Sequence, residues 1–119
     1  MLDDGRPLFQ QIADLLAEGV VTGRYPEDTQ VPSTTELSAF YRINPATVGK
    51  GVNLLVDRGV LHKRRGLGMF VSPGARDQLL AERTDRFRAA FLDPLLAEAA
   101  RLGLTPADLH RLIDTEEKP

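Results

Sequence analysis

Hydrophobic positions in the first quarter of the chain repeat with the period of an α-helix. From Pro7 onward the apolar residues fall at spacings near 3.6, at Leu8, Ile12, Leu15, Leu16 and Val20. Pro7 suits the first helical turn, where no N–H donor is needed, and Gly23 suits the left-handed residue that follows a helix. This pattern predicts an amphipathic helix over residues 7–22.

A second, shorter helix is predicted by its start signal. Ser33 is followed three residues later by Glu36, which is the capping-box spacing in which side chain and backbone satisfy each other's free donors. Ser33 is therefore the expected N-cap of a helix over residues 34–41. Its apolar residues Leu37 and Phe40 are expected to be buried.

A third helix is predicted to follow after a tight turn. Asn44 is a favourable N-cap, Pro45 is a favourable first helical residue, and Gly59 closes the segment. The stripe expected to face the core is Val48, Val52 and Leu55, widened by Leu54 and Val56. The positions expected to point outward are Ala46, Lys50, Asn53 and Asp57. Two helices joined so closely form a helix-turn-helix arrangement.

Two glycines inside the third helix are unusual. Gly49 and Gly51 each cost a helix interior about 1 kcal/mol relative to alanine. They either permit close approach to a DNA backbone or are weak positions tolerated because tertiary packing holds the helix. The sequence leaves both interpretations open.

The residues after Gly59 have the character of a β-hairpin. Two short segments, 60–64 and 69–72, are rich in β-branched and alternating residues. The turn between them contains Gly66 and Gly68, which adopt positive φ without Cβ strain. Residues 30–31 are expected to add a short strand beside this hairpin. Pro73 and Gly74 are predicted to end the domain, which spans residues 7–72.

A second apolar stripe begins after this boundary, at Leu80, Phe87, Phe91, Leu95, Ala99 and Leu102. Pro94 interrupts the stripe and either kinks the helix or begins a new one. Gly103 is expected to stop this element. Thr105 and Pro106 are expected to start a last helix that carries Leu109, Leu112 and Ile113, and the charged residues 115–119 are expected to fray.

The tail over residues 75–115 is predicted to dimerise. Two or three helices with one long apolar stripe cannot form a core of their own, so the stripe packs on the first domain or on a second copy. We favour the second copy, because an extended apolar helix beside a finished domain leaves a large exposed patch. The predicted dimer residues are Leu80, Phe87, Phe91, Leu95, Leu102 and Leu109. The expected fold is mainly α with a small β-wing.

The overall composition is that of an ordinary globular protein. The chain of 119 residues is 42% hydrophobic and 27% charged, has a formal net charge of −2 and contains no cysteine. It is therefore expected to be globular, without disulfides or thiolate metal sites. It has no run of eighteen apolar residues and no charged-then-apolar leader, so we expect a cytoplasmic protein without a membrane span.

The cations are nevertheless concentrated around the third helix and the hairpin. From Arg42 to Arg65 the chain carries Arg42, Lys50, Arg58, Lys63, Arg64 and Arg65 against the single carboxylate of Asp57. A helix fits the major groove of a DNA duplex, and flanking Lys and Arg neutralise phosphates. This region therefore predicts a nucleic-acid partner.

In their order along the chain, four motifs resemble the winged helix-turn-helix domain of GntR-type transcription regulators. They are residues 7–12 (PLFQQI), 31–37 (VPSTTEL), 43–48 (INPATV) and 64–71 (RRGLGMFV). The short helical tail resembles the small YtrA-like branch of that family, whose C-terminal helices dimerise and which has no large effector domain. The resemblance implies a bacterial regulator, expected to be a repressor, that binds an inverted repeat as a homodimer.

The resemblance also implies which residues contact DNA. At the start of the second helix, phosphate would be bound by Ser33, Thr34 and Thr35. The third helix and its cap would contribute Asn44, Pro45, Thr47 and Lys50 to the major groove, and Arg42 in the turn is a further expected DNA contact. The wing at the minor groove would consist of Lys63, Arg64, Arg65 and Gly66. Thr35 stands where many relatives have Arg, and Gly49 where they have a basic or bulky residue, so no base preference is carried over.

Three other kinds of function fit the sequence less well. An enzyme is disfavoured, because His62 and His110 are the only histidines and no nucleophile, metal or cofactor motif is present. A protein-docking winged helix that does not bind DNA is the main alternative, but such a module does not need Arg64 and Arg65 at its wing. A small-molecule effector has little room in the short tail, although a cleft at the dimer interface stays open to one.

Overall fold

The structure is a computed structural model that describes residues 5–117. It divides into two compact units, Met1–Ala81 and Glu82–Pro119, which are described separately below. The elements in chain order are α1 (Leu8–Thr22), α2 (Thr34–Tyr41), α3 (Pro45–Asp57), β1 (Leu61–Arg64), β2 (Gly68–Val71), α4 (Ala75–Phe87), a π-helical segment (Arg88–Leu92), α5 (Asp93–Arg101) and α6 (Pro106–Glu117). The predicted fold class, mainly helical with a β-wing, is confirmed.

The helix starts follow their sequence signals closely. Ser33 caps α2 through the predicted reciprocal pair, in which Glu36 N donates to Ser33 Oγ at 3.0 Å and Ser33 N donates to Glu36 Oε1 at 2.9 Å. Asn44 caps α3 by accepting a hydrogen bond from Ala46 N at 2.7 Å. Pro7 lies one position earlier than predicted, as the N-cap of α1 rather than its first residue.

The core of the first unit lies where α1, α2, α3 and the sheet meet. Its largest fully buried side chains are Ile12, Leu16, Val20, Val48, Leu55, Val60, Leu61 and Val71. The predicted α3 stripe is thus confirmed, and so is the burial of Leu37. The prediction that Phe40 is buried is wrong, because its side chain is 76% exposed. An eight-residue helix presents only one narrow face to the core, and Leu37 occupies it.

The wing is an antiparallel hairpin in which Leu61 pairs with Val71 and Arg64 with Gly68. The predicted third strand is reduced to a single bridge between Gln30 and Phe70. At the turn, Gly66 has φ 76° and Gly68 has φ 121°, so both glycines adopt the positive φ that the sequence predicts.

Gly51 explains how closely α1 and α3 approach each other. A Cβ at this position would lie 2.6 Å from the carbonyl oxygen of Phe9 and 3.0 Å from a methyl carbon of Ile12. The side chain is absent because α1 occupies that space, which neither sequence-based interpretation anticipated. Gly49 differs, because a Cβ there would meet no atom within 4 Å.

The first unit continues beyond the predicted domain end at residue 72. Ala75 and Leu79, on the first two turns of α4, are buried in the same core as α1 and α3. The compact unit accordingly runs to Ala81. The turn at Pro73 and Gly74 therefore separates the wing from a helix that belongs to this core, at least as far as Leu79.

In the second unit the chain stays helical through Pro94. The backbone N–H of Asp93 donates to the carbonyl of Arg88, five residues back, which is the hydrogen bond of a π-helix. Asp93 has helical dihedrals, φ −62° and ψ −46°, so it is not the N-cap of a separate helix. Pro94 is accommodated by a widened turn of one continuous helix.

The last helix, α6, begins at a capping box and extends to the end of the described residues. Thr105 and Asp108 form a second capping box, with Asp108 N donating to Thr105 Oγ1 at 3.2 Å and Thr105 N donating to the Asp108 carboxylate at 2.8 Å. The chain is helical as far as Glu117, so the expectation that it frays from Thr115 is wrong up to that residue. Residues 118–119 lie outside the described residues.

Candidate nucleic-acid interface

At the start of α2, the helix N-terminus lies beside the Ser33 hydroxyl, which the capping box holds in place. Ser33 Oγ accepts the hydrogen bond from Glu36 N, and its own O–H remains able to donate to an anion. Thr34 is half-buried, whereas Thr35 is exposed. The backbone and hydroxyl hydrogen bonds from Ser33 lower the pKa of the Glu36 carboxyl below its usual range, so this helix end carries a negative charge at neutral pH.

The turn between α2 and α3 is held by backbone geometry and one hydroxyl. Arg42 adopts the left-handed conformation with φ 55°, and Ser38 Oγ donates to the carbonyl of Ile43 at 2.6 Å. The side chain of Arg42 is exposed. This arrangement fixes where α3 begins, and Asn44 and Pro45 are both exposed at that first turn.

The outward face of α3 carries the predicted polar residues. Lys50 is exposed and Thr47 is half-buried, while the opposite face is closed by the core. The Lys50 ammonium lies 4.1 Å from the centroid of the Phe9 ring on α1. An open cleft of about 540 Å³ beside this pair is lined by Phe9, Ala46, Gly49, Lys50, Asn53, Leu54 and Asp57.

The two arginines of the wing have different surroundings. Arg64 Nη2 lies 3.5 Å from the Asp28 carboxylate, and the Arg64 guanidinium lies 4.1 Å from the centroid of the Phe70 ring. Arg64 Nε also donates to His62 Nε2 at 3.3 Å. Arg65 is exposed at the turn and has no hydrogen bond or ion pair with any residue in the described part of the chain.

The contacts of Arg64 extend through His62 to the end of the hairpin. His62 Nε2 accepts from Arg64, and His62 Nδ1 forms a hydrogen bond of 3.0 Å with Ser72 Oγ. Gln30 fixes the turn from the other side, since its Nε2 donates to the carbonyl of Leu67 at 2.6 Å. The wing is thereby tied to the loop before α2, and among its predicted DNA-contacting residues Lys63, Arg65 and Gly66 are exposed.

The predicted dimer residues fall into two groups. Phe87, Phe91, Leu95 and Leu102 are exposed, and the rings of Phe87 and Phe91 lie 5.6 Å apart. Leu80, by contrast, is half-buried in the first unit, and Leu109 is buried within its own chain. Other exposed apolar residues of the tail are Leu92, Leu96, Leu112 and Ile113.

Sequence reasoning missed the residues that hold the two predicted cations. Phe9 contacts Lys50 although it lies on another helix, and Asp28 and Phe70 contact Arg64 from a loop and a paired strand. Phe9 stands inside one of the recognised motifs, but nothing in its spacing points to Lys50. Only the packing of α1 on α3 brings the two together.

Residues 5–117 contain neither a candidate metal site nor a membrane-spanning helix. No group of His, Asp or Glu side chains in that range could hold a metal ion. Within the same range, no helix has the length and apolar character needed to cross a membrane.

The fold and the exposed cationic positions are those of a winged helix-turn-helix regulator. Residues 8–71 match the family described as bacterial regulatory proteins of the gntR family, and the chain belongs to this GntR family. Its members are transcription regulators with a DNA-binding helix-turn-helix fold and are not enzymes.

Similar proteins extend the likeness to the tail. The transcriptional repressor YtrA of Bacillus subtilis is 27% identical over 107 residues, which cover 90% of this chain and 82% of YtrA, so this is a YtrA-like regulator. A transcriptional regulator from Oenococcus oeni has the same fold, with a TM-score of 0.79 at 24% identity over 99% of this chain and 97% of that one.

Complexes with nucleic acid are among the similar structures. The DNA-binding domain of AraR, solved in complex with the operator ORR3, matches 54% of this chain and 77% of its own chain, with a TM-score of 0.52 and 25% identity.

Proposed function

We propose that this protein is a homodimeric repressor that binds an inverted-repeat operator through α3 and the wing. The observation that carries the proposal is the state of its cations. Lys50, Lys63 and Arg65 are exposed, and no described residue forms a hydrogen bond or ion pair with them. Cationic side chains left without acidic partners in a protein with a net charge of −2 are available to neutralise phosphates.

In this proposal each element has a separate part. The outward face of α3, from Asn44 to Lys50, enters the major groove, where base edges can be distinguished. The free N–H groups at the start of α2, next to Ser33, meet phosphate. Arg65 at the wing tip reaches the minor groove, whose negative potential attracts arginine.

Arg64 has a smaller part than the sequence implied. It is already paired with Asp28 and stacked on Phe70, so a phosphate must compete with a carboxylate for it. We therefore assign the tip contact chiefly to Arg65, with Lys63 beside it on β1. Arg64 stabilises the wing on which both are carried.

In this proposal the tail forms the interface between the two copies of the dimer. The exposed residues Phe87, Phe91, Leu95 and Leu102 form an apolar patch of a kind that a monomer in water rarely keeps. A two-fold pair of such tails would set two α3 helices about 34–36 Å apart, so that both enter successive major grooves. The name of the YtrA relative supports repression, and chromosomal DNA as the partner implies a cytoplasmic location.

The proposal is tested first by selection from random duplex DNA with the purified protein. An enriched inverted repeat with half-sites one helical turn apart is the expected result. Failure to enrich any duplex would contradict the proposal and leave the protein-docking winged helix as the better interpretation.

The wing is tested by Arg65→Ala on the selected operator. Loss of one phosphate contact should weaken binding and reduce the slope of log affinity against log salt by about 0.9. The matched control is Arg111→Ala, which removes an exposed arginine of α6 and should leave the slope unchanged. If Arg65→Ala, alone and combined with Arg64→Ala, changes neither affinity nor slope, the wing assignment is wrong.

A further inference from the structure

Phe9 contacts Lys50, and the proposed function assigns no role to this aromatic residue. The Lys50 ammonium lies 4.1 Å from the centroid of the Phe9 ring, which is within the range of a cation–π interaction. No residue among 5–117 forms a hydrogen bond or ion pair with this ammonium. The Phe9 ring is therefore the described group to which an attraction of the charge can be assigned.

The backbone is built to place Phe9 there. Gly51 lets α1 approach α3 so closely that any Cβ would lie 2.6 Å from the carbonyl oxygen of Phe9. Lys50 immediately precedes Gly51 in the chain, and its side chain is exposed. Close packing of the two helices at Gly51 thus puts the Phe9 ring at the edge of the outward face of α3. The half-buried ring leaves one surface for the ammonium.

We propose that Phe9 is a positioning residue for DNA recognition, which holds the Lys50 ammonium at the mouth of the cleft between α1 and α3. The inference rests on the proposed function. A lysine side chain has high rotamer entropy, and part of this freedom must be given up when it binds a phosphate or a base edge. The ring restricts the ammonium before DNA arrives, and the N–H donors that do not face the ring stay free for DNA.

The test is a double-mutant cycle on operator affinity with Phe9→Leu, Lys50→Gln and the double variant. Phe9→Leu keeps an apolar side chain but removes the ring, and should weaken binding about two- to fivefold. The salt slope should not change, because the lysine is still present, whereas Lys50→Gln should lower the slope. Phe9→Tyr keeps the ring and should bind like the wild type.

The cycle separates positioning from a structural effect. In the Lys50→Gln background, Phe9→Leu should have no further effect on affinity, since there is no longer an ammonium to position. An equal loss in both backgrounds would overturn the inference. The matched control is Phe40→Leu, which removes another phenylalanine ring that is 76% exposed and should leave affinity unchanged.

A measurement without DNA distinguishes failure of this inference from failure of the proposed function. In NMR spectra of the free protein, the ring current of Phe9 should shift the Lys50 methylene resonances upfield, and Phe9→Leu should abolish the shift. Absence of the shift would overturn the inference even if the protein binds DNA. If the shift is present but no duplex is bound, the proposed function fails and the contact serves the fold alone.

Discussion

The two units of this chain treat their hydrophobic residues in opposite ways. In the first unit, Leu55 on α3 is 0% exposed and belongs to a core to which four helices and the sheet contribute. In the second unit, Phe91 is 65% exposed and Phe87 is 59% exposed. The first unit buries its apolar stripes within the chain, whereas the second presents its own to the outside.

This difference indicates which part can act alone. Burying a leucine or phenylalanine side chain stabilises a fold by about 1.5–3 kcal/mol, and the first unit obtains this within one chain. The second unit obtains little of it, because Ala99 and Leu109 are its only buried residues in the described part of the chain. The two units therefore suit the two proposed parts, DNA binding and assembly.

The largest expected effect comes from adding charge to the exposed stripe of the tail. Phe87→Asp combined with Phe91→Asp should raise the dimer dissociation constant about a thousandfold or more, since two central aromatic anchors are commonly worth 2 kcal/mol or more each. Light scattering should then report a monomer, and circular dichroism should show that the first unit remains folded.

The control for this variant is Ala89→Asp. Ala89 is also exposed, but it lies two residues from Phe87 and Phe91 and so off their side of the helix. This variant should leave the dimer intact. A dimer that persists in the double aspartate variant would place the interface elsewhere and remove the contrast between the two units.

A smaller effect is expected where the first unit is packed most closely. Gly51→Ala should lower the free energy of unfolding by about 1–3 kcal/mol, because the new methyl group meets the Phe9 carbonyl. Gly49→Ala is the matched substitution in the same helix and meets nothing within 4 Å. It should raise stability by up to about 1 kcal/mol through helix propensity.

Denaturant unfolding of the Gly51→Ala and Gly49→Ala variants measures both changes in the free energy of unfolding. Opposite signs are expected from the same chemical change two residues apart. If both substitutions stabilise the protein, the close approach of α1 to α3 is absent in solution. The Phe9 ring would then not be held beside Lys50 either.

The smallest expected effect is on the pH dependence of stability and comes from the capping box, which occurs once in each unit. The hydrogen bonds from Ser33 lower the pKa of the Glu36 carboxyl in the folded state. A carboxyl with a lowered folded pKa contributes stability above its unfolded pKa of about 4.3 and loses it as pH falls through the folded value. The stability difference between wild type and Glu36→Gln should therefore be largest near neutral pH and shrink in acid.

Thermal unfolding across pH provides the check on this prediction. The hydrogen bonds of Asp108 with Thr105 likewise lower the pKa of the Asp108 carboxyl, so Asp108→Asn is the corresponding variant of the second unit. A difference between wild type and Glu36→Gln that stays constant from neutral to acid pH would show that the charge of Glu36 does not contribute.

Local signals allowed the helices to be predicted well from sequence. The bounds of α2 agree with the prediction residue by residue, because Ser33 and Glu36 satisfy each other over three positions. The wing was also predictable, since Gly66 and Gly68 supply the positive φ that its turn needs. These features depend on neighbours in the chain, which a sequence displays directly.

Features that depend on distant neighbours were not predictable. Phe40 fits the helical period, but its ring packs edge-on against that of its neighbour Tyr41 and lies outside the core, so it is exposed. Arg64 and Arg65 are adjacent and chemically identical, yet only Arg64 meets Asp28. The individual DNA-contacting residues and the domain bounds at 7–72 and 75–115 stay predictions, which the experiments above address.

The π-helical segment changes the angle around the helix axis between successive apolar residues of the tail. In a regular α-helix, residues four apart overshoot a full turn by about 40°, so Phe87, Phe91 and Leu95 would drift around the cylinder. A turn closed by a hydrogen bond between residues five apart, as from Asp93 to Arg88, is wider and brings such residues closer to alignment. Deleting one residue between Arg88 and Leu92 would shift the phase of everything after it by about 100° and turn Leu95 away from the two phenylalanines.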